Sequence, residues 1–302
     1  MLRKLRGEQF GALFSEGVEA ESAPSFEQRQ RQRQAILEED AFVGLLRWGC
    51  DALHLLHPTR IRSFPGTVSA LTRPEWSRVS GPPDARYTRP AGNGFVAAAT
   101  DTSLDAVLDA YGRGLILRWI AGIPAWWSPS QRIAGDPRQA REPEAALALL
   151  ASGNVRITLD RDFESVASRA TRRAVLRLRP FQPGRDGLAA LLAVHDAGFA
   201  HSVEIRNRSG KLVGGCSGIS SGRAFILQSR FGDTAAAAEL ALVILNRHLV
   251  HFGYAFIDLC ADWDASHFDL PVLDRAEAQS CLTGCLAGDR RGRWLAVQDL
   301  CQ

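Results

Sequence analysis

The C-terminal half of the chain contains three short β-prone runs separated by turns. The runs are residues 202–205, 211–216 and 224–227, and Gly, Ser and Asn residues interrupt the chain between them. Clusters of turn-forming residues between β-prone runs are typical of hairpins. The pattern therefore predicts an antiparallel meander of three strands.

A long segment without Gly or Pro follows the meander. Apolar residues recur at helical spacing over residues 234–252, and Asp233 and Thr234 supply capping side chains at the start. We predict a helix here, and the apolar residues 255–260 then predict a buried strand. Strands, helix and strand in this order indicate an α+β fold.

The first 93 residues follow a different pattern. Residues 27–39 are polar and predict a solvent-facing helix, whereas residues 60–92 are rich in Pro, Gly and Ser and predict irregular structure. We interpret residues 1–93 as an added N-terminal segment, helical and then irregular. Residues 41–57 predict an amphipathic helix with an apolar side formed by Phe42, Leu45, Leu46, Leu53 and Leu56.

Composition and charge narrow the class of protein. A chain of 302 residues with 46% hydrophobic content can bury a core of one or two domains. It has no apolar run of the roughly 18 residues that a membrane span needs, and no signal-peptide stretch at its start. We expect a monomeric, cytoplasmic protein without a membrane partner. Six irregularly spaced cysteines predict reduced thiols and no metal site.

Basic residues are concentrated in one stretch, although the formal net charge is only +3. On a helix, spacings of three and four residues place several arginines on one face, where they suit contacts to phosphate groups. A solvated surface helix is the alternative. The candidate tRNA contacts are Arg169, Arg172, Arg173, Arg177 and Arg179.

Four ordered motifs carry a resemblance to one family. Residues 94–114 begin G-F-V-A-A-A-T-D and end A-Y-G-R-G, and residues 126–132 are W-W-S-P-S-Q-R. Residues 195–204 are H-D-A-G-F-A-H-S-V-E, with L-V-G-G at 212–215, and I-D follows at 257–258. These motifs resemble those of the leucyl/phenylalanyl-tRNA-protein transferases. That family consists of bacterial enzymes that place Leu or Phe on proteins beginning with Arg or Lys.

The resemblance implies a fold and an activity. It implies an acetyltransferase-like (GNAT-like) catalytic domain at residues 151–302, whose sheet splits to admit an acyl donor, and a smaller N-terminal domain at residues 94–150. The implied activity forms a peptide bond between the amino acid of an aminoacyl-tRNA and a protein or peptide N-terminus, as in the N-degron pathway. No cofactor is expected.

Several positions depart from the family's motifs. Residues 228–231 are Q-S-R-F where the family has E-S-M-F, so Arg230 places a charge in an apolar pocket. Residues 236–239 are A-A-A-E in place of N-A-S-K, and Cys260 replaces a Gln that is a proposed catalytic relay. We interpret the chain as a divergent member in which the donor or the acceptor has changed.

The reaction needs few protein groups. An aminoacyl ester is already activated, so attack by an amine needs proximity, removal of a proton and stabilisation of the oxyanion. We predict that Asp258 holds the amine or passes its proton to solvent, and that Glu204 orients the donor ester or ribose. Capping of backbone amides at the strand end is the alternative for Asp258.

The other candidates are predicted to contact substrate. Trp126, Trp127 and Phe225 suit stacking on the terminal adenosine or lining of the amino-acid pocket, with core packing as the alternative. Gly214 and Gly215 allow close approach of a ligand, with a bulge as the alternative. The set is completed by Ser128, His201, Ser202, Gln228, Ser229 and Cys260, of which His201 is expected to be a structural hydrogen-bonding residue rather than a base.

Other functions stay open from sequence. A coenzyme A-dependent N-acyltransferase would bind pyrophosphate near residues 231–234, between strand and helix, although only one Gly is present there. Transfer from aminoacyl-tRNA to a small-molecule amine is another alternative, and a non-catalytic relative that binds tRNA or degradation targets is a third. A thiol nucleophile at Cys260 beside His267 lacks a third orienting group.

Overall fold

A computed structural model of the chain describes residues 26–38, 40–56, 94–120, 122–260, 266–286 and 294. The helices in these ranges are α1 (Phe26–Leu37), α2 (Ala41–Leu55), α3 (Leu104–Gly112), α4 (Glu144–Ala151), α5 (Phe163–Leu176), α6 (Arg185–Asp196), α7 (Ala235–His251) and α8 (Arg275–Thr283). The strands are β1 (Phe95–Ala98), β2 (Ile116–Ile120), β3 (Ile123–Trp127), β4 (Gln131–Gly135), β5 (Val155–Leu159), β6 (Ala200–Asn207), β7 (Leu212–Ser221), β8 (Ala224–Gly232), β9 (Phe256–Asp258) and β10 (Val272–Asp274).

The strands form two sheets. A small antiparallel sheet has the order β1-β3-β2, and a seven-stranded sheet has the order β10-β4-β9-β8-β7-β6-β5. All neighbours in the large sheet are antiparallel except β8 and β9, which are parallel and are connected through α7. The fold is therefore α+β with a mixed sheet, as the sequence pattern predicts.

The predicted meander and helix are confirmed, but β7 is longer than expected. The Gly- and Ser-rich residues 217–221 were expected to turn, yet they continue β7. The reason is packing. A Cβ at Gly218 would lie 2.4 Å from both the carbonyl oxygen of Ile226 and the ring of Phe225, so only glycine allows this approach. Thr234 caps α7, and its hydroxyl oxygen accepts the Ala237 N–H at 3.2 Å.

The helix predicted at residues 41–57 forms as α2, but its orientation is the reverse of the expected one. Asp51 points inward and accepts the backbone N–H of Phe181 at 2.7 Å, and the Cys50 thiol lies 3.9 Å from the Val175 carbonyl. These contacts of Asp51 and Cys50 place their side of α2 against the protein. As a result, five large apolar side chains are between 53% and 72% exposed: Phe42, Leu45, Trp48, Leu53 and Leu56.

The first helix, α1, is attached to the rest of the protein by charge. Arg33 makes ion pairs with Glu164 at 2.9 Å and with Asp196 at 2.6 Å, so α1 is not only solvent-facing as predicted. The irregular structure predicted for residues 60–92 lies outside the described residues. Within the described ranges, no helix combines the length and the apolar character needed to cross a membrane.

The two sides of the large sheet pack against different partners. One core cluster joins the sheet to the small sheet and to α5 and α6, and a second joins the other side of the sheet to α7. β4 pairs with β9, so residues 131–135 lie in the large sheet although they fall within the smaller domain expected at residues 94–150. The small sheet ends at Trp127.

Helix α6 packs closely against the small sheet at Gly187. A Cβ there would lie 2.4 Å from the buried Trp119 ring, so we expect Gly187→Ala to lower the free energy of unfolding by about 1–3 kcal/mol. Denaturant titration measures the change. Gly112→Ala is the control, because its added Cβ would have its nearest neighbour at 3.6 Å. Equal stability of Gly187→Ala and wild type would contradict the tight packing.

Candidate functional site

The face of the large sheet that lies opposite α7 carries a line of polar side chains. Ser202 is paired with Ser217, and Ser217 with Ser229, while Glu204 stands opposite Thr158. Alternate residues of a strand share a face, and the intervening residues of β6 pack in the cluster with α7. The Ser217 and Ser229 hydroxyls are 2.8 Å apart. Four strands, β5 to β8, therefore contribute polar groups to one surface.

Glu204 lies at the centre of this surface and is fully buried. The Ser202 hydroxyl donates to its Oε1 and the Thr158 hydroxyl to its Oε2, each at 2.5 Å. Burial raises the pKa of Glu204 to about 7, and the two hydroxyl hydrogen bonds oppose that increase. Glu204 therefore exchanges a proton near neutral pH.

Asp258 ends β9 and is held by two donors. Arg132 Nη1 donates to its Oδ2 at 2.5 Å, and the Cys260 backbone N–H donates to its Oδ1 at 2.8 Å. Arg132 also donates to the Gly114 carbonyl. Asp258 and Arg132 are 1% and 4% exposed, so the pair is shielded from water. The carboxylate has a fixed orientation.

A small pocket adjoins this ion pair. Arg275 Nη2 donates to the Ser128 carbonyl at 2.8 Å at its rim. The Ser128 hydroxyl is buried and has no hydrogen-bond partner among the described residues. The pocket is lined by Gly114, Ser128, Arg132, Phe256, Asp258, Arg275, Ala278, Gln279 and Leu282.

The structure does not bring the two predicted catalytic acids together. Glu204 is on β6 and Asp258 is on β9, with β7 and β8 between them. Three strand spacings amount to about 14 Å, which is too far for both carboxyl groups to contact one reacting atom. If both acids act in one reaction, they contact different parts of the substrates.

The pairing of the parallel strands β8 and β9 ends at Asp258. Their pairing runs from Ala224–Phe256 to Ile226–Asp258, after which β9 ends and β8 continues to Gly232. Three residues of this continuation are half-buried: Gln228, Ser229 and Arg230. Four of the predicted site residues therefore lie near the end of this pairing: Gln228, Ser229, Asp258 and Cys260.

Gln228 and Cys260 are both fixed by hydrogen bonds. The Tyr111 hydroxyl donates to Gln228 Oε1 at 2.6 Å, and Gln228 Nε2 donates to the Leu117 carbonyl at 3.0 Å. Cys260 Sγ lies 3.4 Å from the Leu227 carbonyl, and the residue has a positive φ of 57°. Gln228 therefore connects β8 to the small sheet. It occupies the position at which the family's motif has an acid.

His201 and Phe225 lie on the opposite face, towards α7. Asp160 Oδ2 accepts a hydrogen bond from His201 Nδ1 at 2.7 Å, and Trp294 stacks on the His201 ring with centroids 4.2 Å apart. Trp294 also contacts Phe225 at 5.4 Å. Burial, reinforced by nearby His201, lowers the pKa of His248 beside them to about 3. His201 is thus hydrogen-bonded through Nδ1 and stacked against Trp294, and its structural role stays a prediction.

Trp126 and Trp127 are buried in the small sheet and are not brought near Phe225. The Trp127 ring packs at 4.7 Å from Phe181. The space beside the two glycines is filled by protein. A Cβ at Gly214 would lie 2.6 Å from the Ala237 carbonyl, and one at Gly215 would lie 2.8 Å from a carbonyl of β6. Packing of the chain itself accounts for both glycines.

The predicted basic stripe divides into two groups. Arg169 and Arg173 contact Asp233 at 3.8 and 3.0 Å, and Arg169 also donates to the Leu212 carbonyl at 2.6 Å. These two arginines connect α5 to the start of α7. The remaining candidates are exposed: Arg172, Arg177 and Arg179.

The start of α7 is already occupied by protein groups. The Asp233 N–H donates to the Val213 carbonyl at 2.7 Å, and Thr234 caps the first turn. A Cβ at Gly232 would lie 2.5 Å from the Ala238 nitrogen. The negative charge of Asp233 also opposes a pyrophosphate. This geometry does not favour the coenzyme A alternative.

Sequence reasoning did not identify the contacts made by three residues in and around the site: Arg132, Asp160 and Trp294. Arg132 was visible in the W-W-S-P-S-Q-R motif, but its partner 126 positions away was not. Asp160, at φ 52°, also accepts the N–H groups of Ser202 and Trp294. The available signals were an acid directly after the β-prone residues 155–159, for Asp160, and a single Trp in a polar stretch, for Trp294.

Comparison with known proteins gives a consistent result. A family model described as leucyl/phenylalanyl-tRNA protein transferase matches residues 137–269. The chain is 33% identical over 176 residues to a leucyl/phenylalanyl-tRNA–protein transferase of Nitrosospira multiformis, which covers 55% of this chain and 71% of the relative. A transferase of the same name from an Anaeromyxobacter species is 31% identical over 224 residues, covering 70% of this chain and 90% of the relative.

Glu204 generates a prediction about stability and pH. Its pKa is about 7 when folded against an ordinary value of 4.5, so between these values the folded state holds a proton that the unfolded state has lost. Stability therefore falls as pH rises through this window. Relative to Glu204→Gln, we expect wild type to lose up to roughly 3 kcal/mol between pH 4.5 and 8.

Urea titrations at several pH values test this difference. Glu144→Gln, in the exposed first turn of α4, is the control and should keep the wild-type pH profile. Parallel profiles for wild type and Glu204→Gln would show that Glu204 titrates alike in both states.

Proposed function

The chain belongs to the leucyl/phenylalanyl-tRNA protein transferase family, and we propose on this basis that it transfers an amino acid from aminoacyl-tRNA to a protein N-terminus. It is an aminoacyltransferase. The single observation that carries this conclusion is the family relationship over most of the relatives' length. Leu or Phe is the proposed donor residue, and a protein or peptide beginning with Arg or Lys is the proposed acceptor.

We propose that the large sheet belongs to an acetyltransferase-like catalytic domain. The antiparallel meander, the crossover through α7 and the parallel pairing of β8 with β9 support this proposal. The acyl group is proposed to enter beside β8, beyond its last pairing with β9. In this proposal the small sheet forms the N-terminal domain within residues 94–150, and the catalytic domain takes β4 together with residues 151–302.

The proposed reaction is aminolysis of an ester. The nitrogen of the acceptor amine attacks the ester carbonyl, a C–N bond forms, and a tetrahedral oxyanion results. The oxyanion then collapses, the C–O bond to the ribose breaks, and the proton lost by nitrogen finally resides on the ribose oxygen. Positioning of the amine and protection from water supply most of the rate increase.

Asp258 is proposed to hold the attacking amine. It lies at the last pairing of β8 with β9, and hydrogen bonds from Arg132 and the Cys260 N–H keep its orientation fixed. A carboxylate attracts an ammonium group and accepts a proton from the attacking nitrogen. Glu204, about three strands away, is proposed to orient the donor ester or ribose.

The donor pocket is proposed to lie along the part of β8 that continues beyond its pairing with β9. Gln228 and Ser229 present an amide and a hydroxyl there, and Arg230 is half-buried beside them. An amide where the family has an acid removes one negative charge from the pocket. This difference supports an altered substrate specificity. As a second candidate function, we keep transfer from aminoacyl-tRNA to a peptide or small-molecule amine.

The exposed arginines in and directly after α5, Arg172, Arg177 and Arg179, are proposed to contact tRNA. We expect Arg172→Ala/Arg177→Ala to weaken tRNA binding and to reduce the slope of log affinity against log salt by about two, one for each lost phosphate contact. Filter binding at several salt concentrations measures both. Arg141→Ala/Arg208→Ala is the control, since both arginines are exposed but lie outside α5. An unchanged salt slope in the α5 variant would contradict this role.

Transfer itself is tested with purified protein, a pool of charged tRNAs and a peptide that begins with Arg. We expect Leu or Phe on the peptide by mass, and Asp258→Asn to slow transfer by at least about 100-fold, because the amine loses its carboxylate. Asp136→Asn, which changes an acid paired with Arg138 outside the site, is the control.

Two further readouts separate the possible failures of this experiment. Thermal melting of Asp258→Asn distinguishes loss of the site from loss of the fold. Transfer at the wild-type rate by a folded Asp258→Asn would remove Asp258 from the mechanism. Binding of tRNA without transfer by wild type would indicate a different acceptor.

A further inference from the structure

Helix α2 presents most of its large apolar residues to solvent and its charged residues to the protein. Arg47 is 6% exposed and lies beside Gly184, and Asp51 is fully buried on the Phe181 N–H. The apolar side carries two aromatic and three leucine side chains that are at least half exposed. Water contact at such a patch is unfavourable, and exposed apolar patches of this kind mark interaction sites.

The exposed residues of α2 follow the spacing of a helix–helix interface. Positions 42, 45, 49, 52 and 56 recur at alternating intervals of three and four, the period of a coiled-coil seam. Gly49, at the middle of this seam, is exposed and has open space where a Cβ would be. A second helix can therefore approach closely at the centre.

The chemistry of this face limits its partner. The charged side chains within α2, Arg47 and Asp51, both face inward, so its seam offers no ion pair to an acidic or basic partner. A membrane of anionic lipids and a nucleic acid are both disfavoured for that reason. An identical uncharged face fits it, because two copies related by a two-fold axis near Gly49 place the same apolar side chains against each other.

The area agrees with a weak dimer. The exposed parts of the five large side chains amount to about 600 Å² per copy, or about 1,200 Å² in total, the lower end of specific interfaces. We propose that α2 forms the interface of a homodimer in which the seam of one copy packs on that of the other. This proposal is independent of the transferase activity and opposes the monomer expected from sequence.

Light scattering on the full chain over about 1–200 μM tests the proposal. We expect the mass to approach that of two chains at high concentration. Leu45→Glu/Leu53→Glu should remain a monomer throughout, because it places one charge in the seam and a second on the exposed apolar side directly beside it. Val272→Glu, at a residue 59% exposed on β10, is the matched control and should still dimerise. Thermal melting at low concentration checks that all variants are folded.

Cross-linking gives a second readout. In a Cys281→Ser/Cys301→Ser background, Gly49→Cys should form a covalent dimer on mild oxidation, whereas Ser152→Cys, at another exposed position, should not. A wild-type chain that stays monomeric at every concentration overturns the proposal, whichever other group covers α2. A dimer that persists in Leu45→Glu/Leu53→Glu overturns it equally.

Discussion

The buried ion pair between Arg132 and Asp258 is the constraint on which the candidate site depends. It connects β4 to β9, and the second hydrogen bond of Arg132 reaches the Gly114 carbonyl beside the small sheet. Burying two charges is costly, and removal of either partner leaves an uncompensated charge in a dry environment. The relative position of the two sheets and the orientation of Asp258 are therefore determined by the same contact.

The two acids illustrate how environment assigns chemistry. Asp258 accepts hydrogen bonds from a guanidinium and a backbone amide, which fix the direction of its carboxyl group. Burial and the nearby acids Asp160 and Asp162 favour the protonated form of Glu204, against the hydrogen bonds that two hydroxyl groups donate to it. Nothing in the local sequence distinguishes these acids. The distinction arises from residues far away along the chain that pack beside them.

Local patterns predicted the meander, α7 and its cap, because hydrophobic periodicity and capping residues act over a few positions. The orientation of α2 could not be predicted this way, since it depends on Asp51 meeting an amide 130 positions away. Nor could the separation of Glu204 from Asp258, because strand order is a property of the whole sheet. The length of β7 was missed because Gly218 was interpreted as a turn signal, whereas its absent side chain allows close packing of β8.

The hydrogen bonds around the candidate site join residues that are distant in sequence. Tyr111 and Gln228 are 117 positions apart, Arg132 and Asp258 are 126 apart, and Arg275 and Ser128 are 147 apart. Each requires the closure of a long loop, which costs chain entropy before the contact forms. Contacts of this kind slow folding. We therefore expect the hairpins to form first and the contacts of β9 and the small sheet with β8 to form late, so that a partly folded chain already has its meander but no organised site.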